Sequence, residues 1–148
     1  MKRMRRWTIT THQTGRPRDV DIMLYPTTRS MRIAAAQWAH RRGGQETFEH
    51  ALGVCHGFEK VLIDAEGFEH SERLSSIIRL ALEHVTVDIV CHEAVHAAQH
   101  LYRLDMIADR SALAVDHFDA ANEEFATLAG DLFAAVWSCV RNAERIEK

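Results

Sequence analysis

The fold is decided by Ile77-Ile78-Arg79-Leu80-Ala81-Leu82 and, after a short break, by Thr86-Val87-Asp88-Ile89-Val90-Cys91-His92-Glu93-Ala94-Val95-His96-Ala97-Ala98-Gln99-His100-Leu101-Tyr102. Periodicity alone leaves the first run between strand and helix, and its place just ahead of a helical segment favours a strand. From Thr86 onward the apolar spacing turns helical. Val87, Cys91, Ala94, Val95, Ala98, Leu101 and Tyr102 recur at steps of three and four and are expected to form one buried stripe. Cys91 is read as a small core hydrophobe.

Towards the N-terminus, Trp7–Thr11 is rich in β-formers, and Val20-Asp21-Ile22-Met23-Leu24-Tyr25 alternates so that Val20, Ile22 and Leu24 share one strand face. Pro26 ends that strand. Thr27, Thr28 and Ser30 offer N-caps for a helix through Ile33–Trp38, which is expected to pack across the sheet and to stop at Gly43-Gly44. Extended segments around Phe48–Cys55 and Phe58–Ile63 flank His56-Gly57, a spacing that predicts a hairpin or bulged pair, with Asp64–Ser71 as a polar connection.

On the C-terminal side a second long helix is expected from near Asp119 past Val140, with Phe125, Ala129, Leu132, Phe133, Val136 and Val140 buried. Gly130 inside it costs about 1 kcal/mol relative to Ala, which a close helix approach or a tolerated defect would equally explain. With no repeat, low-complexity tract or linker, residues 1–148 read as a single α+β domain. A small antiparallel or mixed sheet would pack on the two long helices.

Composition narrows the class. A chain of 148 residues at 47% hydrophobic content can bury one stable core. No apolar stretch reaches the length of a membrane-spanning helix, and Trp7–Gln13 is too polar for the core of a signal peptide. Three widely spaced cysteines, Cys55, Cys91 and Cys139, form no disulfide framework and no Cys-x-x-Cys pair, so reduced thiols in the cytoplasm are expected. Net charge is −3 but unevenly spread: residues 1–42 carry ten Lys/Arg against Asp19 and Asp21, while residues 43–148 carry eight against nineteen acids. The basic third would sooner pack on its own acidic body than bind nucleic acid, because no recognition motif accompanies it.

The chemistry rests on His92-Glu93-Ala94-Val95-His96. Two histidines four apart on a helix project from one face about a turn apart, so both imidazoles can reach one tetrahedral zinc. Glu93 is angled away from ligation, yet near enough to take a proton from a metal-bound water and return it to a leaving amine. A straight helix carries His100 a turn beyond such a metal. A third ligand is still needed, and the second helix offers Glu123 and Glu124 in Asn122-Glu123-Glu124-Phe125-Ala126-Thr127-Leu128-Ala129-Gly130-Asp131. His117, Tyr102 and Tyr25 are the available partners for a developing oxyanion.

Across residues 76–133 the chain resembles zincin metallopeptidases of the gluzincin type: a His-Glu-x-x-His helix followed, some tens of residues on, by a helix that opens with a ligand glutamate. In size, and in the strand-like run leading into the motif helix, it is similar to small minimal zincins often encoded by bacteriophages and prophages. The resemblance implies Zn2+ held by His92, His96 and Glu123, with Ala126 and Thr127 at the matching offsets and Glu93 as catalytic base. It implies a hydrolase cutting amide bonds of a peptide or protein substrate, in the host cytoplasm if phage-encoded. Many gluzincins place Asp four residues after the ligand glutamate, where this chain has Thr127, a weaker orienting partner for a ligand histidine. Two other readings stand beside it. One is a zincin-fold metal-binding adaptor or inhibitor without turnover, since the residues alone do not guarantee activity. The other docks the domain on DNA through its basic third.

Overall fold

A computed structural model describes residues 3–106 and 123–146. Strands β1 (Arg5–Thr11), β2 (Arg18–Tyr25), β3 (Gly53–Gly57) and β6 (Leu74–Ala81) form a mixed sheet in the order β1-β2-β6-β3, and β4 (Val61–Ile63) pairs with β5 (Glu69–Ser71) in a separate two-stranded ribbon. Three helices among the described residues complete the α+β arrangement: α1 (Thr28–His40), α2 (Val87–Asp105) and α3 (Glu123–Ile146). No helix among the described residues is long and apolar enough to cross a membrane.

The central strands are covered on both faces, as buried parallel neighbours must be. Strand β2 runs parallel to β6 and antiparallel to β1, while β3 runs antiparallel to β6 and is the sheet's edge. On one face Val20, Ile22, Leu24, Ile78 and Leu80 pack against Val90, Ala94, Ala97, Ala98 and Leu101 of α2 and Leu128, Leu132, Val136 and Val140 of α3. On the other face Met31 and Ala35 of α1 close over Val54 and Ala81. The alternation expected in β2 is realised, with Val20 and Ile22 fully buried and Leu24 nearly so.

Local signals fix the helices. Thr27 caps α1 in a capping box with Ser30, and the turn after α1 closes with the Gly44 amide on the Ala39 carbonyl. Thr86 caps α2 by accepting the Ile89 amide. At the far end of α2, Asp105 accepts hydrogen bonds from Arg18 Nε (2.9 Å), Arg18 Nη2 (2.6 Å) and Thr14 Oγ1 (2.6 Å), which fastens the helix to the start of β2.

Several expectations are corrected. His56-Gly57 is no turn but the end of strand β3. Phe48–Leu52 is not strand, and the real hairpin joins β4 to β5 around Asp64–Phe68. There the Asp64 carboxylate accepts the amides of Glu66 and Phe68, and Gly67 takes the left-handed φ of 86°. The stripe of α2 is rotated: Val90, Glu93, Ala94, Ala97, Ala98, Leu101 and Tyr102 are buried, while Val87 and Cys91 are exposed. The expected start of the second helix near Asp119 lies outside the described residues. Among the described residues nothing lies within 4 Å of a Cβ added at Gly130, so it serves no close approach of α2 and α3.

Arg5, Arg18 and Arg32 of the basic first third are engaged with the rest of the chain, and Arg6 with an acid inside that third. Arg5 donates to the Ala143 carbonyl, Arg6 pairs with Asp21, Arg18 with Asp105, and Arg32 donates to the Ala51 carbonyl.

Candidate metal centre

His92 and His96 lie on the exposed rim of α2 with their Nε2 atoms 3.0 Å apart and their ring planes crossing at 82°. Two nitrogens each about 2.0–2.1 Å from a shared tetrahedral zinc lie about 3.3 Å apart, so the pair is within a few tenths of an ångström of that arrangement. The rings are brought together by helical spacing alone, since the helix has neither proline nor glycine between Val87 and Asp105. Burial and the neighbouring His92 push the His96 ring below its ordinary value, which favours the neutral, ligating form.

Glu93, next to His92 on the helix, turns under the edge strand. It is 5% exposed, and its carboxyl is pushed up to about 7 by burial, against a backbone hydrogen bond from Cys55 that pulls it down. Glycine makes this possible: a Cβ on Gly53 would sit 2.8 Å from both Cγ and Oε1 of Glu93. Gly57 likewise leaves room for the His100 ring, whose Nε2 is 3.0 Å from the Phe58 carbonyl oxygen. His100 is thus half-buried under the end of β3 and takes no place beside the His92–His96 pair.

Between the N-terminal half of α2 and the segment leading into β3 opens a cleft of about 520 Å3, lined by His50, Ala51, Leu52, Gly53, Asp88, Ile89, His92 and Glu93. The register of β3 on β6, with the Phe58 amide bonded to the Ser75 carbonyl, turns Val54 and His56 towards β6 for hydrogen bonding. The backbone groups of Gly53, Cys55 and Gly57 therefore point to the side of β3 that no other described strand pairs with, where the Cys55 amide meets Glu93.

Glu123 is the first residue of α3 and is exposed, as are Glu124, Ala126 and Thr127. Among the described residues no group of three or more His, Cys, Asp or Glu side chains is placed to hold a metal ion, so neither glutamate is brought to the histidine pair. The residues present fit two of the positions a zinc ion needs. Of the expected oxyanion partners, Tyr102 is buried against Phe125, Tyr25 donates to Met23 Sδ, and His117 lies outside the described residues. Sequence reasoning missed Gly53 and the Cys55 amide, which hold Glu93; the signal available was a glycine inside a strand, a mark of close approach.

Compared with models of protein families, with curated proteins and with solved structures, the chain matches none.

Proposed function

We propose that the chain is a zinc-dependent metallopeptidase-like hydrolase in which His92, His96 and Glu123 hold the metal and Glu93 moves the proton. The observation that carries this reading is the convergence of two histidine Nε2 atoms, 3.0 Å apart, one of them belonging to His92, which lines a cleft together with Glu93. Zinc, when bound, supplies a water acidic enough to ionise near neutrality and polarises the carbonyl under attack. The chain's part is positional. Gly53 and the Cys55 amide hold the Glu93 carboxylate at the cleft floor, where it accepts a proton from the attacking water and delivers it to the departing amine. Apart from the Cys55 amide, which Glu93 occupies, the outward backbone groups of β3 at Gly53, Cys55 and Gly57 are placed to pair with an extended chain, which favours a peptide or protein as substrate. Glu123 enters through the resemblance alone.

The test is metal content. Protein purified without a histidine tag is measured by mass spectrometry as wild type, His96→Ala, Glu123→Ala and Glu124→Ala. One zinc per chain, lost with His96 and Glu123 but retained without Glu124, is expected. A peptide-library assay of Glu93→Gln then follows, with metal retained and hydrolysis abolished. A wild-type chain that neither carries nor takes up zinc would end the reading, and zinc without hydrolysis of any library member would leave a binding protein in its place.

A further inference from the structure

The opposite face of β3 carries a second cluster that the metal reading does not use. Arg79 of β6 is 3% exposed and donates through Nη1 to Nδ1 of His56 at 2.7 Å. A guanidinium can only donate, so Nδ1 accepts and the proton of the neutral ring sits on Nε2. That Nε2 is buried without a hydrogen-bond partner among the described residues, and so is Nε of Arg79. Each buried donor left unpaired costs about 1–3 kcal/mol, so each of the two calls for an acceptor.

His56 lines a cavity of about 290 Å3 together with Trp38, Arg42, Glu46 and Phe48. The His56 ring stacks on Trp38 (4.3 Å between centroids, 17° between planes), and the Arg42 guanidinium lies 3.7 Å from the Trp38 ring centroid. A guanidinium stacked by its face keeps its in-plane N–H fork free for a planar or tetrahedral oxyanion. Arg41 adds a further positive charge near Arg79, against the single carboxylate of Glu46 on the cavity wall. Phe48 sits there with a left-handed φ of 57°, the one non-glycine residue so placed among the described residues.

We propose that this cavity binds a small oxyanion, a phosphate or carboxylate group, held by the Arg42 fork and the His56 Nε2–H with the Arg79 charge behind them. The site stands apart from the metal reading, because it lies on the other face of β3 and shares no side chain with the His92–His96 pair.

The experiment is calorimetric titration of the full chain with inorganic phosphate and, separately, with acetate, at fixed ionic strength in a chloride background. Nitrogen-15 spectra of the histidine side chains report which ring responds. Binding with a shift of the His56 Nε2 resonance is expected, weakened about tenfold by Arg42→Gln and partly restored by Arg42→Lys. Tighter phosphate binding would mark a phosphoryl ligand, and tighter acetate binding a carboxylate one. Arg42 is exposed, so its variants should melt with wild type in anion-free buffer; His56→Gln gives a second, independent loss. No response of the His56 ring to either anion, or affinities unchanged in Arg42→Gln, overturns the proposal.

Discussion

Gly53 lies directly over Glu93, so close that a Cβ on the glycine would stand 2.8 Å from the glutamate's Cγ and Oε1 and 3.0 Å from Ile89 Cγ2. Gly53→Ala must therefore displace the Glu93 side chain or push β3 off α2. A destabilisation of about 1–3 kcal/mol is expected by urea denaturation. A variant as stable as wild type would show that Glu93 swings aside freely.

Gly130 offers the opposite outcome. It sits mid-helix in α3, exposed, with nothing among the described residues within 4 Å of an added Cβ. Gly130→Ala should raise stability by about 0.5–1 kcal/mol through helix propensity and a less flexible unfolded chain. Thermal melting of the two proteins decides it, and a lower melting temperature would mean that the position has a contact requirement.

The Arg18–Asp105 pair is sealed from solvent, with side chains 1% and 2% exposed. Removing Arg18 strands a buried carboxylate, so Arg18→Met should cost about 3–5 kcal/mol. Burial pushes the Asp105 carboxyl up, but hydrogen bonds from Arg18 and Thr14 outweigh it and hold the group below its ordinary value. The stabilisation is thus complete above the unfolded carboxylate range and is lost as pH falls through the lower folded value. In acid titrations followed by circular dichroism, Asp105→Asn should flatten this final loss.

His56 acts at milder pH. Burial and the charge of Arg79, with Arg42 adding to them against Glu46, push its ring down to about 4. The unfolded ring titrates near the ordinary 6.5, so the unfolded chain binds more protons between the two values and stability falls as pH drops from 6.5 towards 4. Discounted for solvent screening of a half-buried ring, the loss should be on the order of 1 kcal/mol at pH 5 relative to pH 7. His56→Gln should remove this part of the pH dependence; an unchanged slope would place it elsewhere.

What could be read beforehand followed from local physics. The alternation of Val20, Ile22 and Leu24, the cap at Thr27, the helical spacing from Thr86 and the run from Ile77 all became the elements they indicated. The errors share one cause, which is that a residue's meaning depended on what lay across from it. Gly57 reads as a turn signal but is a strand residue emptied to admit His100, while the true turn signal, Asp64 with Gly67, was passed over inside a polar stretch. Cys91 reads as core, yet α2 turns Glu93 inward instead, because β3 supplies a glycine gap and an amide for it. The His92–His96 pair was legible because four-residue spacing on a helix is sufficient to bring two rings together. A third donor from another helix is a tertiary fact that spacing cannot supply.

Strand β3 alternates Gly53, Cys55 and Gly57 towards α2 with Val54 and His56 towards α1. A slip of one residue against β6 would drive Val54 and His56 into the two gaps that Glu93 and His100 fill, while turning the glycines to face Trp38. The two missing side chains thus act as a key that admits only one alignment of the edge strand, so its alignment does not depend on hydrogen bonds alone. Any insertion or deletion within these five residues should disable both faces of the strand at once.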